Sequence, residues 1–142
     1  MFKTLVVVAA LAMVATPSSG TLQAQVPSTV KVTVQYTGKG TVDATHKVWV
    51  YLFDTPNIGA GSIPIGQVTV SENGAEALFE NVSQNQVWLA AAFDEKGLMG
   101  GDGPPPSGTP IAIWAGKDGA PLAITPGKAP IVLKFDDTMR MP

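Results

Sequence analysis

A single imidazole and a scatter of carboxylates are the raw material for any reaction centre in this chain. His46 is the sole histidine, and Asp43 stands three positions before it, where it would orient an imidazole for proton transfer. A serine-type hydrolase needs more: a nucleophile on a sharp turn. No Gly-x-Ser-x-Gly segment exists, and no serine has a distinctive setting. The plainer reading is that His46 opens a strand at Lys47 and bonds locally. A small hydrolase using His46 therefore stands as a distant alternative.

Metal chemistry is limited in the same way. The chain has no cysteine and one histidine, so a zinc site and a blue-copper site both lack ligands. Met139-Arg140-Met141, with Met99 and His46, would offer soft donors to copper(I) only if folding gathered them. Calcium is the better candidate, because it takes oxygen ligands from carboxylates and loop carbonyls. Asp94, Glu95 and Asp102 flank a glycine-rich stretch, and Asp136-Asp137 forms a second acidic pair. None follows the EF-hand spacing, and turns are rich in aspartate for their own reasons. The glycine runs Gly38-Lys39-Gly40 and Gly100-Gly101-Asp102-Gly103 precede no helix, so they are not phosphate cradles.

Binding is the remaining chemistry. Trp49, Trp88 and Trp114 are flat apolar plates that stack on sugar rings when exposed. Trp49 is out of phase with Val48 and Val50, and Trp88 with Val87 and Leu89. Both are expected on the sheet face opposite the main core, as a platform for a glycan or as a second core layer under a loop. Residues 97–110 hold five glycines and four prolines, with Pro104-Pro105-Pro106 in the middle. That loop is stiff, loses little entropy on binding, and makes Asp102 and Pro105 candidate contacts to a protein partner.

The elements that position these residues are strands. Val30, Val32, Val34 and Tyr36 alternate with Lys31, Thr33 and Gln35. Lys47–Phe53 is apolar on both faces, and so is covered on both sides. Gln67–Ser71 is a third strand, and Asn73-Gly74 reads as a tight hairpin turn. Ala75–Glu80 then returns with Ala75, Ala77 and Phe79 on one face. Gln86–Phe93, Ile111–Trp114 and Pro130–Phe135 complete about seven strands. Proline and glycine recur too often to leave room for an amphipathic helix. The fold class expected is all-β: an antiparallel β-sandwich with Ig-like layering.

The first 24 residues have the anatomy of a cleavable signal peptide. Lys3 precedes the apolar run Leu5–Ala15, Thr16–Gly20 breaks it, and Leu22-Gln23-Ala24 offers a small residue at the cut. The run is shorter than the ~20 apolar residues of a membrane span. The expected organisation is a signal peptide over 1–24 and one β-sandwich domain over 25–142. The expected compartment is periplasmic or extracellular, in a bacterium, with no stable membrane insertion after cleavage. In 142 residues, 9 Lys+Arg against 11 Asp+Glu give a net charge of −2, which excludes the basic surface a nucleic-acid binder needs. Charged residues make up only 14%. The 45% of hydrophobic residues excludes a disordered tail.

Ser71-Glu72-Asn73-Gly74, then Phe79-Glu80-Asn81-Val82, then Val87–Gly97 resemble the core of the transthyretin-like, carboxypeptidase-regulatory-type β-sandwiches. The likeness spans roughly residues 40–97, with Val48–Leu52 as the earlier buried strand. The loop at Thr37–Gly40 and the stretch 97–110 depart from the pattern. The resemblance implies an exported recognition or accessory module of the cell envelope, not an enzyme. It names no ligand and carries no cofactor. An exposed edge strand would allow pairing between copies.

Overall fold

A computed structural model describes residues 27–142, so the expected signal peptide lies outside the described residues. The described chain is all-β. Seven strands run β1 (Ser28–Tyr36), β2 (Val48–Phe53), β3 (Gly66–Val70), β4 (Glu76–Val82), β5 (Trp88–Phe93), β6 (Ile111–Ile113) and β7 (Ile131–Phe135). They form a three-stranded sheet ordered β4-β1-β7 and a four-stranded sheet ordered β3-β2-β5-β6.

Period-two alternation creates the core between the sheets. Val30, Val32, Val34 and Tyr36 point inward from β1, and Ala77 and Phe79 from β4. Val48, Val50 and Leu52 of β2 and Leu89, Ala91 and Phe93 of β5 meet them from the other sheet. Tyr36 lies against Phe93 with ring centroids 4.2 Å apart and against Phe135 at 5.1 Å. Continuous apolar burial of this kind supplies the main folding force.

Two expectations about connectivity are corrected. β1 and β7 pair in parallel, from Val32↔Ile131 to Tyr36↔Phe135, so the sandwich is not purely antiparallel. The Asn73-Gly74 turn is not a hairpin between paired strands. β3 pairs with β2, and β4 pairs with β1, so the turn carries the chain from one sheet to the other. Gly74 takes φ +82°, as expected of the turn. The side chain of Asn73 shows why this crossing is well defined. The Tyr36 N–H donates to Asn73 Oδ1 at 2.8 Å, and Asn73 Nδ2 donates to the Tyr36 carbonyl at 2.7 Å. The amide thus pairs with β1 as a further peptide group would, beyond the last β1–β4 partner, Glu76.

A bulge in β4 follows. Ser28↔Val82 and Val30↔Phe79 differ by one extra residue on the β4 side, and Asn81 sits there at φ +57°. Asparagine tolerates that left-handed backbone better than most residues.

The two outer faces differ. On the three-stranded sheet, Lys31, Thr33 and Gln35 stand between Glu76 and Leu78 on one side and Val132 and Lys134 on the other, a mostly polar surface. On the four-stranded sheet, Trp49, Tyr51, Phe53, Trp88, Ala90, Ala92, Ile111 and Ile113 form an apolar cluster.

Candidate functional site

The outer apolar face is built by cross-strand pairing. Along β2 stand Trp49, Tyr51 and Phe53, and opposite them along β5 stand Ala92, Ala90 and Trp88. Beyond β5, Ala90 and Ala92 face Ile113 and Ile111 of β6. Large rings on one side, isoleucines on the other and alanines between them leave a trough down β5. The alanine run that blurs helix and strand in the sequence is the low floor of this trough.

Two loops rise over it. The segment 54–65 brings Ile58, Ile63 and Pro64 to one wall, and 97–110 brings Gly101, Pro104 and Pro105 to the other. Met141 joins them, because its backbone pairs with Thr109: the Met141 N–H donates to the Thr109 carbonyl, and the Gly108 N–H to that of Met141, both at 2.8 Å. The result is a groove of about 570 Å³. That falls in the range of sites for small organic molecules, about 300–1,000 Å³. No Asp, Glu, Lys, Arg or His lines it. Ile63 at its rim is 84% exposed.

Specific contacts seat the loops. Asp94 is buried, and its carboxylate accepts the Leu98 N–H at one oxygen and the Met99 N–H at the other, each at 3.0 Å. Gly97 at φ +68° makes the bend between them. Further on, Gly101 lies so close to Trp49 that a Cβ there would stand 3.0 Å from the indole and 2.9 Å from the Gln67 amide nitrogen. In the other loop, Ser62 Oγ accepts from the Gly59 N–H and donates to the Asn57 carbonyl.

Among the described residues, Trp49 Nε1 and the Tyr51 hydroxyl are buried under this face with no hydrogen-bond partner. Tyr51 lines the groove and is only 6% exposed. Burial, reinforced by the negative charge of Asp94, pushes its pKa up to about 12. The phenol therefore stays neutral and keeps its proton to donate.

The residues singled out from sequence are thus divided. Pro105 lines the groove, and the exposed Asp102 does not. Trp49 and Trp88 lie on the outer face, half-buried, as their phase requires. Trp114 packs against the inner core instead, so the three indoles share no surface. Asp94, Glu95 and Asp136 hold partners of their own. Asp94 holds backbone amides, and Glu95 pairs with Arg140 at 3.0 Å. Asp136 accepts the Thr138 N–H at 2.9 Å and the Thr138 hydroxyl. Among the described residues no three His, Cys, Asp or Glu side chains converge as metal ligands.

His46 lines a second depression of about 370 Å³ with Lys39, Thr41, Asp43, Phe93 and Glu95. Its Nδ1 lies 3.0 Å from Asp43 Oδ1. That same oxygen accepts the N–H groups of His46 at 2.7 Å and Thr45 at 2.9 Å, which hold the Asp43 carboxyl below the usual carboxylate range. The pair knots the turn that opens β2. Among the described residues no hydroxyl is hydrogen-bonded to the imidazole.

Sequence reasoning passed over Tyr51, Phe53, Ala90 and the whole 54–65 wall. Their phase relative to Val50 and Leu52 was legible, but the roof above them was not. Compared with protein-family models, with curated proteins and with solved structures, the chain matches none.

Proposed function

We propose that this protein is an exported, non-enzymatic binding module that takes an uncharged, largely apolar molecule into the groove on its four-stranded sheet. One observation carries the reading: the outer face of that sheet is apolar and flanked by two glycine- and proline-rich loops, while the equivalent face of the other sheet is mostly polar. A soluble domain gains nothing from an apolar outer face that is left partly open to water, unless something is to be placed there. Export rests on the residues of 1–24, and a recognition role accords with the resemblance to transthyretin-like sandwiches over 40–97. No metal and no reaction step enter this reading. A glycan is the poorer ligand, because sugars need many hydrogen bonds and the indoles are not gathered into one plate.

The test uses N-phenyl-1-naphthylamine, a neutral dye that brightens in apolar sites. The wild-type protein should bind it saturably. Ala90→Phe fills the floor between Tyr51 and Ile113 and should weaken binding at least tenfold while the melting temperature holds. Equal binding by the variant, or no saturable binding by the wild type, would overturn the proposal.

A further inference from the structure

We propose that the Tyr51 hydroxyl is the polar anchor of the groove, selecting uncharged molecules that present a hydrogen-bond acceptor, such as a ketone or ester carbonyl, on an otherwise apolar body. The inference rests on the binding reading above and narrows its ligand class.

Three observations converge. The hydroxyl is buried with no acceptor among the described residues, and its residue lines the groove. A buried donor left unsatisfied is costly, so a ligand atom that accepts from it is favoured over one that does not. Every other polar side chain on the lining is less suited. Ser62 Oγ is already used twice within its own loop, and the Gln67 amide leans on the Gly101 carbonyl at 3.4 Å. Charge provides the second constraint. No cation lines the groove, and the charge whose field reaches Tyr51 is the carboxylate of Asp94. An anionic ligand would lose its hydration and meet repulsion, so a carboxylate is excluded where a carbonyl is welcome.

The hydroxyl is closed off from bulk water. A ligand therefore reaches it by displacing groups of the groove lining that cover it. Discrimination by a buried hydrogen bond is then large, because the wrong ligand leaves the donor unpaired in an apolar site.

Three probes of one shape test this: 2-acetylnaphthalene, 2-isopropenylnaphthalene and 2-naphthoate, each competed against N-phenyl-1-naphthylamine. In the wild-type protein the ketone should bind about tenfold more tightly than the alkene, and naphthoate more weakly than either. In Tyr51→Phe the ketone's advantage should vanish while the alkene binds as before. Circular dichroism and thermal melting of the variant confirm that it is folded. If ketone and alkene compete equally in the wild type, or the advantage survives Tyr51→Phe, the anchor is refuted and the groove stands. If none of the three displaces a saturably bound dye, the anchor is refuted; if the dye itself does not bind saturably, the groove reading falls with it.

Discussion

Removing one oxygen atom from Tyr51 should make the free protein more stable. Such an outcome is unusual, because most substitutions at buried positions destabilise. Tyr51→Phe keeps the ring in its place on β2, beside Phe53 with centroids 6.5 Å apart, and deletes only the hydroxyl. Among the described residues that hydroxyl has no partner. In the unfolded chain it is fully hydrated, so folding strips it of water and returns nothing. A buried unsatisfied group of this kind costs about 1–3 kcal/mol. Deleting it should recover roughly 1 kcal/mol, or about 3–6 °C in melting temperature for a domain of this size.

The same group gives a pH signature. Tyr51 titrates near 12 when folded and near 10 when unfolded. Between those values the unfolded chain has released a proton that the folded chain retains, so stability falls as pH rises. One proton sets a slope of at most about 1.4 kcal/mol per pH unit. The Phe variant lacks this term. Tyr36 is also shifted upward, by burial and then by the charge of Asp137, but it is common to both proteins and cancels in the comparison. Urea unfolding at pH 8 and pH 11 therefore serves as the assay. The variant should be the more stable at pH 8, and its lead should widen at pH 11. A variant less stable at pH 8 would refute the reasoning, since the hydroxyl would then be bonded to a partner such as an ordered water.

Two further substitutions probe the frame. Asn73→Ala removes both bonds to the Tyr36 backbone and should cost about 1–3 kcal/mol by denaturant unfolding; an unchanged midpoint would mean the crossing between sheets holds itself. Gly101→Ala places a Cβ against Trp49 at φ +85° and should cost about 1–2 kcal/mol. It should also weaken dye binding, and normal binding by this variant would show that the 97–110 wall is not part of the site.

The strands were readable because alternation is local. The stretch Val30–Tyr36 shows its buried face to anyone counting by twos, and the Lys47–Phe53 run shows that both of its faces are covered. What alternation cannot carry is pairing over distance. Asn73-Gly74 encodes a turn, but whether the chain turns back into its own sheet or crosses to the other depends on β1, where Tyr36 awaits the asparagine amide. The parallel partnership of β1 with β7 is decided by residues about a hundred positions apart, and no local signal reports it. Trp114 is separated from the other two indoles by local phase. It follows Ile113 by one residue, so it turns away from the outer face that Ile111 and Ile113 share. A carboxylate beside glycines suits both an ion and a set of backbone amides, and the sequence does not show that Asp94 accepts the amides of Leu98 and Met99.

The outer face of the four-stranded sheet admits a rival explanation, that its apolar residues exist to seat the two loops. Residue sizes decide against that being the whole account. Protein interiors pack nearly as densely as organic crystals, and a seat designed only for loops would fill its contacts with bulk. Ala92 follows that rule: it is fully buried beneath the cluster around it. Ala90, two residues back on the same strand, is 9% exposed and borders the groove. It stands between Tyr51 and Ile113, where a valine or leucine would pack, and it leaves about 570 Å³ beside a phenol with no acceptor. Two departures from good packing coincide in one place, a missing side chain and an unmet donor. Local rules are broken together where a site requires it, and a ligand with an apolar body and one carbonyl would repair both.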